Sequence, residues 1–557
     1  MIATTHQPTS LGAHAARTQR STTAATGWLA VAAVAAAPGA EALRVVIERP
    51  HVTLDGDEAL IDLGALRAQH LLQLVGPYSR VGFHQPGPAV FYLLAPFVRL
   101  IGPGGAGLFL GALAINGAAL MATVAVLWRV AGPRVALWSA AAIDGYCLCV
   151  RVGTLREPWN PYLVMAPMVL YVVLWAVAMT GSGGAAWWAA VVGSYEVQTH
   201  IATAGFVVTT SVVVMVRFAM SMRRRDPSAA PSGSRRVSRI CALTALSLIW
   251  LAPIVELRRD HPNNLSLLWE YFSAAHPTPS VHQALEVAGN ALTIMPFGYR
   301  DYALALPRSS AELGIGALLL VAAMLAAVTL GVRHRHPLSL ALTAASLIGI
   351  AAGTVSLLFA TAPLYLYFAV WMAFVPLGLL LAIGVALLDP GASRPRAVRR
   401  QPVALAAVAI ALAAITLHSD LHMASIATTT GAGPWPARSD QNPVGRSQAI
   451  RDTGVLSAAA ETVLTPSDRW VNFELNATSP WPYVAGMVLA LDQRGVNSTV
   501  SPASWELYFG HERSPGRPVS AHFEVVALRP GSPTVPAGAR LVAVVDGYAL
   551  AYWRTSP

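Results

Sequence analysis

The sequence DGDEALIDLGALRAQHLLQLVGPYSRVGFHQPGP, residues 55–88, is the first long polar stretch after the first apolar segment of the chain. It opens with clustered carboxylates, continues through Tyr78, Arg80 and His84, and ends in a Pro-Gly-Pro sequence. Apolar segments of membrane-helix length make up most of the chain around it. In such a chain, polar side chains gather where the chain leaves the bilayer. This stretch is therefore the first place to expect catalytic or substrate-binding residues.

The composition indicates a polytopic membrane protein. Of the 557 residues, 55% are hydrophobic and only 12% are charged, and the mean hydropathy is +0.52, which lies outside the range of soluble domains. The net charge of +10 does not predict a nucleic-acid partner, because the arginines form short clusters between apolar runs, as membrane topology requires. The three cysteines lie inside apolar segments, so neither a disulfide framework nor a zinc site is expected.

Apolar segments of nearly bilayer-spanning length predict about eleven transmembrane helices. They cover residues 23–46, 107–127, 135–150, 162–179, 185–198, 201–216, 240–255, 313–332, 338–360, 364–388 and 403–417. The apolar run 89–101 is too short to span and is interrupted by Arg99, so we expect a juxtamembrane helix at the interface.

Charge predicts the orientation of these spans. With a cytoplasmic N-terminus, the arginine-rich loops fall inside, as the positive-inside rule expects; they contain Arg129 and Arg134, residues 217–239, Arg333 and Arg335, and residues 394–400. The chain is therefore predicted to be a multi-pass protein of the plasma (inner) membrane, in contact with membrane lipids, whose C-terminal part is extracytoplasmic.

Three parts follow from this topology. Residues 1–22 form a cytoplasmic tail, residues 23–418 a transmembrane domain with extracytoplasmic loops 48–106, 151–161 and 256–312, and residues 419–557 a soluble extracytoplasmic α/β domain. In the last part, WVNFEL and RLVAVVDGYALAYW alternate as strands do, and YVAGMVLALDQRGV is typical of an amphipathic helix ending at Gly495.

The carboxylates of residues 55–88 are candidate catalytic groups. Asp57 lies near the start of a helix predicted over residues 57–68, where the helix dipole favours an ionised carboxylate. Such a group can take a proton from a hydroxyl nucleophile. Asp55 is the second candidate and Glu58 a supporting, substrate-binding acid. The alternative is a helix cap with solvated acids, and Asp62, one turn beyond Glu58, is expected to be solvated.

Several cationic and aromatic residues on the outer face are candidates for binding phosphate or sugar. The planar fork of arginine binds phosphate bidentately, and outer arginines run against the positive-inside bias, so they need an anionic partner. Ordinary contacts with lipid headgroups are the alternative. The candidates are Tyr78, Arg80, His84, Arg258, Arg259 and Arg300.

The second outer loop and the turn near residue 200 hold further candidates. Arg156 and Glu157 are candidate substrate-binding residues that have a structural ion pair as the alternative. His200 lies between two apolar runs, where ionisable groups are costly and therefore functional or paired. Walker A, GxGxxG, CxxC and HExxH motifs are absent from the sequence, and no metal ion or cofactor is predicted.

These residues carry a resemblance to the GT-C superfamily of integral membrane glycosyltransferases. The chain looks most like the bacterial branch of protein mannosyltransferases and aminoarabinose transferases, and like actinobacterial members. The run HQPGPAVFYLLAP, residues 84–96, is similar to the HPPLYYLLAP that follows the acidic loop in that branch. Asp57 matches the family's first-loop acid, and Glu157-Pro158 stands where the family has an acid before proline.

The resemblance implies a polyprenyl-phosphate-linked sugar donor and inverting transfer on the extracytoplasmic face to a cell-envelope glycan, lipid or protein. It implies one carboxylate as general base and cations that hold the leaving phosphate, without the second carboxylate that glycosidases need. From the residues alone, two alternatives stay open: a non-catalytic envelope scaffold or glycan-binding membrane protein, and a lipid or glycan transporter.

Overall fold

The chain is predominantly helical, with one small sheet near its C-terminus. The computed structural model describes residues 10–50, 52–150, 153–222, 233–293, 310–389, 401–429, 443–476, 480–528, 535, 538–545 and 547–555. Its helices up to the end of the last predicted span are α1 (Ser10–Glu48), α2 (Gly56–Gln69), α3 (Ala89–Ile101), α4 (Ala106–Ala131), α5 (Pro133–Val150), α6 (Gly153–Arg156), α7 (Asn160–Leu163), α8 (Met165–Met179), α9 (Gly183–Thr199), α10 (Ala204–Met222), α11 (Gly233–Arg259), α12 (Asn264–Ser273), α13 (Val281–Leu292), α14 (Ser310–His334), α15 (Pro337–Leu358), α16 (Leu377–Leu388) and α17 (Gln401–Thr429).

The C-terminal part adds α18 (Pro443–Val463), β1 (Trp470–Glu474), α19 (Trp481–Gln493), β2 (Asn497–Ser501), α20 (Glu506–Phe509), β3 (Ala521–Ala527), β4 (Arg540–Val545) and β5 (Tyr548–Arg554). The strand order is β2-β1-β3-β5-β4. β1 is parallel to β2 and β3, whereas β5 is antiparallel to β3 and β4. The predicted α/β domain is confirmed as a small sheet domain; its boundary at residue 418 stays a prediction.

Seven helical segments of the described chain are long and apolar enough to cross a membrane. They are Thr23–Glu48, Ala106–Ala131, Asn160–Met179, Arg236–Arg259, Gly314–His334, Pro337–Leu358 and Val370–Leu388. The other four predicted spans coincide with α5, α9, α10 and α17. The helical nature of all eleven segments is therefore confirmed, and so is the short helix α3, while the number of spans stays a prediction.

α8 is the central helix of the bundle, in contact with α4, α9 and α15. Its side chains are buried almost throughout, with Tyr171 and Trp175 among the largest. Small residues let the surrounding helices approach closely, as is usual for helices in lipid. Gly384 of α16 is one example: a Cβ at this position would lie 2.0 Å from the indole ring of Trp138 in α5, so a larger residue would push the two helices apart.

The C-terminal domain packs directly on the first of the predicted outer loops, residues 48–106. α19 lies against α2, and a Cβ added at Gly486 of α19 would lie 2.6 Å from the carbonyl oxygen of Leu54. Only glycine permits that approach without a shift of the backbone. The domain is thereby held over the polar stretch of residues 55–88.

Candidate active site

The helix predicted over residues 57–68 is confirmed as α2. Asp55 is its N-cap residue in extended conformation, and Gly56 has a φ of +50°, a left-handed conformation that favours glycine. Asp57 follows in the first turn, where the helix dipole stabilises a negative charge. The chain thus turns sharply at Gly56 and places Asp57 in the first turn of the helix, where it is partly exposed between buried neighbours.

Asp57 is held by a tyrosine of the same loop. The hydroxyl of Tyr78 donates a hydrogen bond of 2.5 Å to Oδ1 of Asp57. Tyr78 lies in a narrow hairpin, in which the amide of Ser79 donates to the carbonyl of Phe83 and Tyr78 pairs with His84. The contact fixes the orientation of the carboxylate.

Arg80 lies at the tip of that hairpin and is exposed. Its Nη2 donates to the carbonyl oxygen of Pro363 over 2.8 Å. Its guanidinium carbon lies 4.4 Å from the ring centroid of Tyr365 and 5.5 Å from that of Phe368. Stacking on aromatic rings holds the guanidinium plane in place without neutralising its charge.

His84 is anchored by a residue 180 positions later in the chain. The amide of His84 donates to Oδ1 of Asn264 at 2.8 Å, and Nδ2 of Asn264 donates back to the carbonyl of His84 at 2.9 Å. Oε1 of Glu256 accepts from the amide of Asn264 at 2.6 Å. Burial lowers the pKa of His84 to about 4, so the imidazole is neutral at physiological pH.

A cavity of about 1730 Å³ lies between these elements and the C-terminal domain. Six predicted site residues line it: Asp57, Tyr78, Arg80, His84, His200 and Arg259. The sequence interpretation did not single out several others, including Arg67, Gln85, Asn264, Tyr365, Tyr367, Trp481, Tyr508 and Arg517. The neighbourhood of Asn264 had one usable signal, since asparagine is favoured at helix N-caps and the preceding residue, Asn263, caps α12.

The remaining acids of α2 do not line the cavity. Asp55 is 1% exposed and Glu58 is fully buried. The expectation that Asp62 is solvated is wrong: it is 2% exposed, because α19 covers that face of α2, and Nε2 of Gln493 donates to it over 3.3 Å. Burial, reinforced by the charge of Asp492, raises the pKa of Asp62 to about 7.

The two charged residues Arg156 and Glu157 of the second predicted outer loop contact other groups of the protein. Nη1 of Arg156 lies 3.5 Å from Oε1 of Glu41 in α1, and Oε1 of Glu157 accepts from the amide of Trp159 over 3.4 Å. Neither Arg156 nor Glu157 is among the residues that line the cavity.

The cavity gives no support for the last two predicted site residues, Arg258 and Arg300. Arg258 is exposed beside the cavity residue Arg259 without lining the cavity itself. Arg300 falls outside the described residues. The roles proposed for both therefore stay predictions.

The charges of Asp57 and Arg80 act on the same space. Burial raises the pKa of Tyr508, the negative charge of Asp57 adds to that rise, and the positive charge of Arg80 opposes it. A carboxylate and a guanidinium therefore face one cavity, within electrostatic reach of the same tyrosine. Such an arrangement can remove a proton at one side and hold an anion at the other.

The fold has a counterpart among solved structures. It is similar to the crystal structure of ArnT from Cupriavidus metallidurans bound to undecaprenyl phosphate, with a TM-score of 0.51 and 13% identity over 92% of this chain and 97% of that chain. The apo crystal structure of the same ArnT gives a TM-score of 0.49 and 14% identity over 95% and 98% of the two chains. No protein-family model and no curated protein sequence matches the chain.

ArnT is a GT-C glycosyltransferase, and the chain shares its fold over nearly its whole length. The predicted fold class, a GT-C-like helical membrane protein with a C-terminal sheet domain, is therefore confirmed. At this level of identity the likeness extends to the fold alone. The actinobacterial affiliation and the roles of individual residues stay predictions.

Proposed function

We propose that this protein is a membrane glycosyltransferase that moves a sugar from a polyprenyl-phosphate-linked donor to an acceptor hydroxyl, with inversion, on the extracytoplasmic face. The acceptor belongs to the cell envelope and is a glycan, lipid or protein. The observation that carries the proposal is that Asp57 and Arg80 face one large cavity in an ArnT-like fold.

The cavity suits an amphipathic donor. Its inner part is lined by the apolar residues Ala204, Leu357 and Trp371 of the helical bundle, and its outer part by Asp57 and Arg80. A polyprenyl chain fits the first environment and a sugar phosphate the second. The similar ArnT structure holds undecaprenyl phosphate, which supports a lipid phosphate of this kind.

Transfer requires one proton acceptor and one anion site. Asp57 takes the proton from the acceptor hydroxyl while that oxygen attacks the anomeric carbon. The bond between this carbon and the phosphate oxygen breaks, and the phosphate leaves with the electron pair. Arg80 and Arg259 are positioned to hold its charge, because both line the cavity. Tyr78 holds the base in place.

The neutral histidines have a different role in this scheme. His84 does not supply charge, since its pKa is lowered to about 4, so it is suited to hydrogen bonds with sugar hydroxyls. His200 is 3% exposed and reaches the cavity from the end of α9. We assign both to the recognition of the donor sugar.

The arrangement of charges favours an enzyme over a transporter. A transporter is expected to carry functional charges near the bilayer midplane. Asp144 and Glu196 are buried within α5 and α9, but neither lines the cavity. The charged residues of the cavity instead come from the predicted outer loops, from the C-terminal end of α11 (Glu256 and Arg259) and from the C-terminal domain.

Donor turnover tests the proposal. The purified full-length protein in nanodiscs is supplied with radiolabelled undecaprenyl-phosphate-linked pentoses and hexoses and with envelope glycan acceptors, and the anomeric configuration of the product is read by NMR. We expect transfer with inversion. Undecaprenyl phosphate binding without transfer from any donor would favour the non-catalytic alternative, and movement of lipid across vesicles would favour the transporter.

A further inference from the structure

We infer that the C-terminal domain completes the acceptor site, and that the rings of Tyr78, Trp481 and Tyr508 bind a sugar ring of a carbohydrate acceptor. These three side chains are called the aromatic subsite below. The inference rests on the proposed function, in which the acceptor is open between glycan, lipid and protein, and it narrows the choice to a glycan.

The aromatic subsite joins two distant parts of the chain. The ring centroids of Tyr78 and Tyr508 are 4.3 Å apart, those of Trp481 and Tyr508 are 5.5 Å apart, and those of Tyr78 and Trp481 are 6.0 Å apart. Tyr78 belongs to the first predicted outer loop. Trp481 is the first residue of α19, and Tyr508 lies in α20. All three rings line the cavity and are only partly buried.

The chemistry of this wall matches a sugar better than a lipid chain. A sugar ring has a face of C–H groups that packs on aromatic rings and a rim of hydroxyls that need hydrogen bonds. Aromatic side chains offer large flat apolar surfaces at low conformational cost. Glu506, Glu512 and Arg517 line the cavity on the same side and supply the polar partners, which a lipid chain would leave unused.

The position of the aromatic subsite assigns it to the acceptor. Its member Tyr78 donates directly to the carboxylate of Asp57, so a ring bound here presents its hydroxyls beside the base. A general base must lie within hydrogen-bond reach of the proton that it removes. The lipid part of the donor belongs to the apolar inner end of the cavity, away from this wall.

Contacts between α2 and the C-terminal domain hold the aromatic subsite together. A Cβ at Gly56 would lie 3.4 Å from Cβ of Pro482, so α19 reaches the start of α2 in van der Waals contact. Nη1 of Arg67 in α2 lies 2.8 Å from Oε1 of Glu512, three residues beyond the end of α20. The sheet domain therefore sets where Tyr508 stands relative to Asp57.

Saturation-transfer difference NMR tests the inference without requiring turnover. Mannobiose, galactobiose and arabinobiose are offered in turn to the full-length protein in nanodiscs. Affinity is compared among wild type, Tyr508→Leu, Tyr508→Phe and Trp553→Leu. Trp553 is a matched control, because it is also an aromatic residue of the C-terminal domain, stacked on His522, and does not line the cavity.

We expect at least one disaccharide to bind through its ring C–H protons. Tyr508→Leu should weaken that binding about tenfold, Tyr508→Phe should stay within about threefold of wild type, and Trp553→Leu should bind as wild type does. Binding of undecaprenyl phosphate should be the same in all four proteins. No saturation of any of the three disaccharides, or equal binding by Tyr508→Leu and wild type, would overturn the inference.

The same measurements separate this inference from the proposed function. Disaccharide binding that depends on the ring of Tyr508, in a protein that does not bind undecaprenyl phosphate, would support the aromatic subsite and contradict the lipid-linked donor. Binding of undecaprenyl phosphate without binding of any disaccharide would support the lipid-linked donor and contradict the aromatic subsite.

Discussion

The first and second predicted outer loops, residues 48–106 and 151–161, contain the same residue types and use them differently. In the first loop, Asp57 and Arg80 face the cavity. In the second, Arg156 points to Glu41 of α1, and Glu157 accepts a hydrogen bond from the backbone. An acid and an arginine in an outer loop therefore do not by themselves indicate a binding site.

The difference follows from what each arginine must neutralise. Glu41 is 1% exposed within α1, whose segment Thr23–Glu48 is long and apolar enough to cross a membrane, and an ionised carboxylate there needs a nearby cation. Arg156 provides it at 3.5 Å, together with Arg44 of α1 at 3.9 Å, so the charge of Arg156 is committed to the fold. Among the described residues Arg80 forms no ion pair; it contacts a carbonyl and two rings and keeps its charge for a ligand.

Removal of Arg156 is expected to have the largest effect on stability. Arg156→Met takes from the buried Glu41 the nearer of two arginine neighbours and leaves Arg44, whose Nη1 lies 3.9 Å from Oε1 of Glu41. This loss costs about 3 kcal/mol of unfolding free energy. Thermal unfolding in nanodiscs measures it, and Arg258→Met, an exposed arginine outside the cavity, is the control. The double variant Glu41→Gln/Arg156→Met should recover part of the loss. An unchanged melting temperature for Arg156→Met would break the contrast between the two loops.

Arg80 should show the opposite behaviour. Arg80→Gln removes a charge that faces the cavity, so the affinity for undecaprenyl phosphate should fall about tenfold, the order expected for a lost charged hydrogen bond, with the melting temperature unchanged. Scintillation proximity binding measures the affinity, with Arg258→Gln as the matched control. Equal weakening in both variants would mean that Arg80 contributes only general surface charge.

Tyr78 should act through Asp57. Tyr78→Phe keeps the ring but removes the hydroxyl that orients the carboxylate, so kcat should fall about tenfold while KM for the acceptor stays within about twofold. Steady-state kinetics with the donor identified by the turnover assay separates the two constants. A rise in KM with an unchanged kcat would show that the hydroxyl serves acceptor binding instead of the base.

Asp62 should give a smaller, pH-dependent effect. Its folded pKa of about 7 lies above the ordinary value of roughly 3.9, so between these values the folded state holds a proton that the unfolded state has lost. Stability therefore falls as pH rises from about 4 to 7. Asp492, itself paired with Arg513, is the charge that faces Asp62 from α19.

Asp62→Asn should remove that part of the pH dependence. We compare the free energy of unfolding of the variant with that of wild type at each pH. The difference should favour the variant by at least about 1 kcal/mol more at pH 8 than at pH 5, because one pKa unit corresponds to about that energy. Melting temperatures at the two pH values measure it. Parallel curves for variant and wild type would show that the buried carboxyl is not protonated.

The sequence predicts the parts of this fold that depend on local pattern. The helix expected over residues 57–68 occurs at Gly56–Gln69. WVNFEL contains β1, and RLVAVVDGYALAYW contains β4 and all of β5 except its last residue. Helical and strand periodicity are properties of neighbouring residues, so a single chain displays them. The placement of Asp57, Tyr78 and Arg80 at one cavity was also within reach, because one short loop carries all three.

Long-range packing is what the sequence does not display. Asp62 was expected to be solvated, but it is covered by Gln493, a residue 431 positions later. His84 is anchored by Asn264, and the ring of Tyr78 by Tyr508. None of these partners can be inferred from local periodicity, because the helical bundle and the sheet domain must first bring them together.

The most direct test of the account compares Asp57→Asn with Asp55→Asn in single-turnover transfer. Both variants remove one charge at the start of α2, but only Asp57 lines the cavity, and Asp55 is 1% exposed. We predict that Asp57→Asn lowers the rate at least about 100-fold, as loss of a general base does, while Asp55→Asn remains active in proportion to its folded fraction. Wild-type rates for a folded Asp57→Asn, or loss confined to a folded Asp55→Asn, would contradict the account.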